Sequence, residues 1–228
     1  MNISDNLQAV RHRIAAAAHA CGRDPASISL LAVSKTKPDS DILAAAAAGQ
    51  RAFGENYVQE GCDKAERLTA AGHALDWHFI GPIQSNKTRP VATWFDWVHA
   101  IDREKIAQRL SEQRPPDKPP LCICIQVNVS GEASKSGVAP ADVAVLADAV
   151  ARLPRLKLRG LMAIPEPTDD VALQRRRFAH LRQLKDDLNA RGHRLDTLSM
   201  GMSQDLEAAI AEGATIVRVG SALFGART

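Results

Sequence analysis

At 228 residues the chain can form one large domain, and a compact α/β barrel of that length leaves little for a second one. Hydrophobic residues make up 45% and charged residues 24%, an ordinary balance for a globular protein with a sizeable core. A net charge of +3 with 4% aromatics argues against a nucleic-acid binder, and no apolar run approaches the roughly 20 residues a membrane span requires.

The N-terminus, MNISDNLQAVRHRI, lacks the basic start and apolar core of a signal peptide. Ser4 to Ala20 reads as an opening helix capped by Ser4 or Asp5. ISLLAVS, residues 28–34, is nearly continuous in apolar character, as suits a strand of a parallel sheet covered on both faces. Pro38-Asp39-Ser40 opens an Ala-rich helix that stops at Gly49.

The same unit then recurs. Expected strands cover residues 52–54, 77–80, 97–101, 121–129, 156–164, 195–198 and 215–219. The intervening helices cover about 58–71, 89–94, 104–113, 141–152, 170–191 and 206–212. RPPDKPP, residues 114–120, reads as a loop because proline interrupts a helix interior. About eight βα units predict a single domain over residues 1–228: an α/β, closed (β/α)8 TIM-type barrel with an extra N-terminal helix. An open doubly wound sheet is the rival, but no Gly-x-Gly-x-x-Gly turn follows the first strand.

Cys21, Cys62, Cys122 and Cys124 match neither a disulfide framework nor a zinc knuckle. Cys122 and Cys124 share one face of a strand and are expected as buried reduced thiols, which points to the cytoplasm; no metal site is expected.

In a barrel, chemistry gathers where strands end. Those places carry Ser34-Lys35, Gly54-Glu55-Asn56, His78 and Gly81, Asn128, Met162, the run Ser199 to Ser203, and Arg218 to Ser221. A lysine at the end of an apolar strand is partly desolvated, which lowers its pKa and frees the amine to attack an aldehyde. Lys37 and Arg218 would push the same way; a solvated strand-end lysine is the plainer alternative. Gly201 and Gly220 let backbone N–H groups approach an anion. Ser203 and Ser221 open helical turns where a phosphate can sit, or merely cap them. Arg218, inside the apolar strand TIVRVG, needs a partner: a ligand atom, or a carboxylate such as Glu55. His78 reads as a hydrogen-bonded core histidine, and Arg175-Arg176-Arg177 as a solvated helix face.

The stretches LLAVSKTKP (30–38), FGENYVQE (53–60), WHFIGPIQSNK (77–87), KSGV (135–138), RGLMAIP (159–165), LSMGMSQDLEAAI (198–210) and VRVGSALFGAR (217–227) together resemble the YggS/PROSC family of pyridoxal phosphate (PLP) homeostasis proteins. The resemblance spans nearly the whole chain in matching order. It implies a barrel like the N-terminal domain of alanine racemase, with PLP held as a Schiff base on Lys35 rather than Lys37. It implies that Ser199, Gly201, Ser203, Gly220 and Ser221 surround the phosphate. Arg218 would approach the pyridine nitrogen, and Asn56 and Met162 would line the pocket.

An arginine stays protonated and cannot give the pyridine nitrogen a proton, so the ring is a weaker electron sink than beside an aspartate. Alanine racemase resembles this arrangement but sets a tyrosine from a second domain opposite its lysine. The present sequence is expected to lack that domain, and its single tyrosine, Tyr57, does not match that base. The resemblance therefore implies a PLP carrier or regulator without a designated catalytic residue. Its partners would be PLP, other B6 vitamers or amino acids, and PLP-dependent apoenzymes, and it would act as a monomer. A weak racemase-like enzyme is the alternative. A PLP-free Schiff-base aldolase is a third reading, which the motifs disfavour.

Overall fold

The computed structural model describes residues 2–131 and 136–225. Lys135 of the KSGV stretch and the end of VRVGSALFGAR fall outside them. Among the described residues, eight parallel strands close in chain order into one barrel, with β8 pairing back to β1. They are β1 (Ser29–Val33), β2 (Ala52–Glu55), β3 (Asp76–Phe79), β4 (Trp97–Ile101), β5 (Leu121–Gln126), β6 (Leu156–Met162), β7 (Thr197–Ser199) and β8 (Ile216–Val219). The helices are α1 (Ile3–Ala20), α2 (Asp39–Ala47), α3 (Val58–Ala70), α4 (Thr88–Trp94), α5 (Glu104–Gln113), α6 (Val143–Ala151), α7 (Val171–Ala190), α8 (Leu206–Ala211) and α9 (Ser221–Phe224). The (β/α)8 expectation holds. The extra helix, α1, packs against α2, α8 and α9 and closes the outer layer where the last unit meets the first.

Strand alternation sorts side chains into two cores. Outward residues meet the helices: Phe53, Trp77 and Phe79 are buried there, and Phe79 stands edge-on to Phe95 at 5.2 Å between ring centroids. Each such large apolar side chain stabilises the fold by about 1.5–3 kcal/mol. Inward residues fill the lumen. Leu31, Ile80 and Ile216 form one group; Ala100, Cys124 and Met162, with Trp97 against them, form another. A row of polar side chains, His78, His99, Ser199 and Arg218, lies among these groups.

Several boundaries differ from expectation for identifiable reasons. Asn2, not Ser4 or Asp5, caps α1, its side chain accepting from Ser4 N at 3.0 Å. β7 starts two residues late because Asn189 Oδ1 takes the Leu195 N–H at 2.7 Å, holding that segment to the end of α7. α8 starts at Leu206, so Ser203 lies in the turn before it rather than at its cap. Cys124 is buried, but Cys122 is only half-buried, because it sits at the N-terminal mouth of the barrel beside Arg159. All four cysteines are free. The 114–120 segment is a loop, fastened by Arg114, which donates to the carbonyls of Pro119, Ala92 and Phe95. No helix among the described residues is long and apolar enough to cross a membrane.

Candidate functional site

A cavity of about 380 Å³ opens at the C-terminal rim of the barrel. That volume lies within the range of small-molecule sites. Lys35 and Asn56 reach it from the ends of β1 and β2, and Ser203 and Asp205 from the β7–α8 turn. Arg218, Gly220 and Ser221 reach it from the end of β8, and Ile164, Thr168 and Gln174 from the β6–α7 side.

The turn that presents Lys35 is unusually constrained. Thr36 has φ of 63°, a left-handed conformation that is uncommon for a β-branched residue. Its N–H donates to Glu60 Oε1 at 2.6 Å. Lys64 on α3, 3% exposed, donates to Glu60 Oε1 at 2.6 Å, Glu55 Oε1 at 3.0 Å and the Ser34 carbonyl at 2.8 Å. Ser34 Oγ donates to the same Glu55 oxygen at 2.7 Å. Burial raises the Glu55 pKa, against the opposing pull of Lys64 and the hydrogen bonds it accepts. The strain at Thr36 is thus held by half-buried Glu60, itself anchored by the buried Lys64–Glu55 pair beneath the Lys35 loop.

Asn56 is set by a close approach. A Cβ on Gly81 would stand 2.2 Å from the Asn56 carbonyl oxygen, so only glycine lets the end of β3 pack against it. The Asn56 Oδ1 atom is buried and has no hydrogen-bond partner among the described residues. A buried acceptor of that kind calls for a donor, and a ligand in the cavity can supply one. Gly201 adopts φ of +93°, and a Cβ there would lie 2.6 Å from the Ala209 Cβ of α8. It turns the chain so that Met202 N–H is capped by Asp205 Oδ1 at 2.6 Å, with Ser203 on the cavity.

Arg218 lies at the cavity floor, 3% exposed. Its partners are not Glu55: Nη1 donates to Ser199 Oγ and Nη2 to the Ala163 carbonyl, each at 2.8 Å. Glu55 points outward beneath α3 and is engaged by Lys64 and Ser34. Burial lowers the Arg218 pKa to about 10, and the field of Asp205 opposes the shift. With two of its five N–H donors engaged by these partners, the guanidinium retains capacity for an acceptor in the cavity.

The family model described as alanine racemase, N-terminal domain, matches residues 6–228. A pyridoxal phosphate homeostasis protein of Pseudomonas aeruginosa is 64% identical over 225 residues, covering 99% of this chain and 96% of that one. The chain belongs to the YggS/PROSC family of PLP homeostasis proteins. Among solved structures, PipY of Synechococcus elongatus with PLP bound is similar at a TM-score of 0.85 and 37% identity, covering 98% of this chain and all of that one. Alanine racemase of Corynebacterium glutamicum shares the fold, at a TM-score of 0.72 and 19% identity over 96% of this chain and 62% of its own.

The resemblance to this family pointed to nine site residues. Lys35, Asn56, Ser203, Arg218, Gly220 and Ser221 line the cavity together. Ser199 stands one rank back, fully buried behind Arg218. Gly201 shapes the turn against α8, and Met162 is sealed in the lumen with Ala100 and Cys124. Gly220 has an ordinary φ of −115°, so its use is the close passage of Val33 rather than a left-handed turn. Sequence reading missed Asp205, His99, Ala163, Glu60 and Lys64. Asp205 had a local signal, as a carboxylate three positions after Met202 that can reach back to its N–H, and Glu60 and Lys64 had one as an i,i+4 pair.

Proposed function

We propose that this chain binds PLP at the barrel rim, with Lys35 as its covalent attachment point, and holds or supplies the cofactor rather than turning over a substrate. The observation that carries the reading is the convergence of Lys35, Arg218, the unpartnered Asn56 Oδ1 and the Ser203 and Ser221 turns on one cavity. A terminal amine, an arginine donor and two hydroxyl-bearing turns suit an aldehyde, a ring nitrogen and a phosphate. When bound, PLP supplies an aldehyde and an electron-withdrawing ring. PipY with PLP bound and the PLP homeostasis proteins of the family support the assignment.

In this reading Ser203, Ser221 and the adjoining backbone hold the phosphate, and Arg218 donates to the ring nitrogen without protonating it. Tyr57 weighs against a racemase-type reaction: it is 51% exposed and does not line the cavity, so it presents no phenol opposite Lys35. The same reading extends to a monomer acting in the cytoplasm, exchanging PLP with other vitamers, amino acids or PLP-dependent apoenzymes.

The test is the visible absorption spectrum of the protein with added PLP, before and after borohydride, beside Lys35→Ala. The wild type is expected to show a band that reduction removes, with a phosphopyridoxyl group on the Lys35 peptide by mass spectrometry. A wild type that stays colourless, or a label on another lysine, overturns the assignment.

A further inference from the structure

Four buried side chains form one continuous hydrogen-bonded row across the lumen. His78 Nδ1 lies 2.9 Å from His99 Nε2, and His99 Nδ1 lies 2.8 Å from Ser199 Oγ. Arg218 Nη1 donates to that same oxygen at 2.8 Å. The row joins β3, β4, β7 and β8 and ends on the residue at the cavity floor. His78 is stacked on Trp97, with ring centroids 5.3 Å apart and planes 5° from parallel.

The arginine fixes the direction of the row. A guanidinium only donates, so Ser199 Oγ accepts from Arg218. The single hydroxyl proton then has His99 Nδ1 as its acceptor. In the reverse arrangement Ser199 accepts twice, and its own proton is stranded in a fully buried site with no third partner among the described residues. His99 therefore carries its proton on Nε2 and donates to His78 Nδ1, and His78 carries its own on Nε2. The titratable groups facing His99 are His78 from β3 and Arg218 from β8, and both disfavour a second proton on it. Cys124 from β5 faces Arg218. Burial keeps both imidazoles neutral.

We infer that His99, backed by His78, is a positioning residue: as neutral Nε2–H tautomers the two imidazoles lock the Ser199 hydroxyl and thereby fix the plane of the Arg218 guanidinium toward the ligand. Ala163 holds the other Nη, so losing the row leaves the guanidinium with one anchor and freedom to swing. What the locked guanidinium does to bound PLP rests on the reading above; the tautomers themselves do not.

The first experiment therefore uses protein labelled with ¹⁵N-histidine and no added ligand. Long-range ¹H–¹⁵N correlation, assigned with His78→Phe and His99→Phe, is expected to show both rings as fixed Nε2–H tautomers from pH 5.5 to 8. An Nδ1–H tautomer at His99, or titration of either ring in that range, overturns the arrangement. The second experiment measures PLP affinity and the pH midpoint of the visible band. His99→Phe is expected to weaken PLP binding roughly tenfold, the scale of a lost hydrogen bond to a charged group, and to move the midpoint. His99→Gln, which keeps one acceptor and one donor, restores both toward the wild type. Ser199→Ala cuts the row with the loss of one oxygen and guards against a His99→Phe protein that fails to fold. Wild-type affinity and midpoint in both His99→Phe and Ser199→Ala overturn the positioning role. A wild type that takes up no PLP overturns the PLP reading itself, a failure visible before any variant is made.

Discussion

Lys64 illustrates how far a residue's role can lie from its local sequence. In VQEGCDKAERLTA it is one polar position of an amphipathic helix, with Glu60 four residues before it as a routine surface pair. Its ammonium is instead buried between Glu60, Glu55 and the Ser34 carbonyl, and the Glu55 Oε2 atom has no partner among the described residues. Lys64→Met would keep the stem's packing and leave Glu55 as an uncompensated buried charge, with a loss of about 3–5 kcal/mol at neutral pH. Because the folded-state pKa of Glu55 is raised above its unfolded value, the folded protein binds the extra proton. The Lys64→Met penalty is therefore smallest at acidic pH and grows as pH rises through the folded pKa. Urea unfolding of both proteins at two pH values checks this; a penalty independent of pH would show that Glu55 is not the group left exposed to the loss. PLP affinity should fall with it, since Thr36 would lose the carboxylate arrangement that holds its left-handed turn.

Among the elements, those written in local pattern were legible and those set by distant partners were not. The strand at ISLLAVS and the Ala-rich α2 follow from residue type and spacing, and eight such alternations fix the barrel. The polar row was not legible, because His99 and Ser199 are 100 residues apart and meet only when the sheet closes. Ser203, expected to open a helical turn, lies three residues ahead of α8, since Asp205 caps Met202 and prolongs the turn. That turn depends on Gly201, whose φ of +93° and contact with Ala209 both resist a side chain. Gly201→Ala combines backbone strain with a clash against α8, with an expected loss of roughly 1–3 kcal/mol in a denaturant titration. The displaced turn carries Ser203, so PLP affinity should drop as well. Unchanged stability and affinity would mean that α8 yields freely and does not set the geometry of the turn.

For the whole molecule, the lumen acts as one stacked column. At its N-terminal mouth, Arg159 lies over Trp97 at 4.8 Å and pairs with Asp196 at 2.8 Å. Above that come His78 and His99, then Ser199 and Arg218, then the cavity. Because the column is buried, the titration of its histidines is linked to global stability. Burial lowers the His78 pKa to about 3 and holds His99 well below its ordinary value of 6.5. The folded state thus binds fewer protons than the unfolded chain. The stabilisation is fully present above the unfolded pKa and is lost as pH falls from about 6.5 toward the folded values. Each histidine contributes a slope that approaches about 1.4 kcal/mol per pH unit toward pH 5. Asp196 and Glu207, whose pKa values are lowered by Arg159 and Arg13, act in the same direction only at the more acidic pH where carboxylates titrate. Between pH 6.5 and 5 the two lumen histidines are therefore separable from them. His99→Gln keeps a donor and an acceptor but cannot titrate, so its stability should fall less steeply than the wild type's, by a margin that rises to about 1.4 kcal/mol per pH unit near pH 5. Other histidines cancel in that difference. Parallel slopes for the two proteins would mean that His99 accepts a proton in the folded barrel, and the column would then have to be wet.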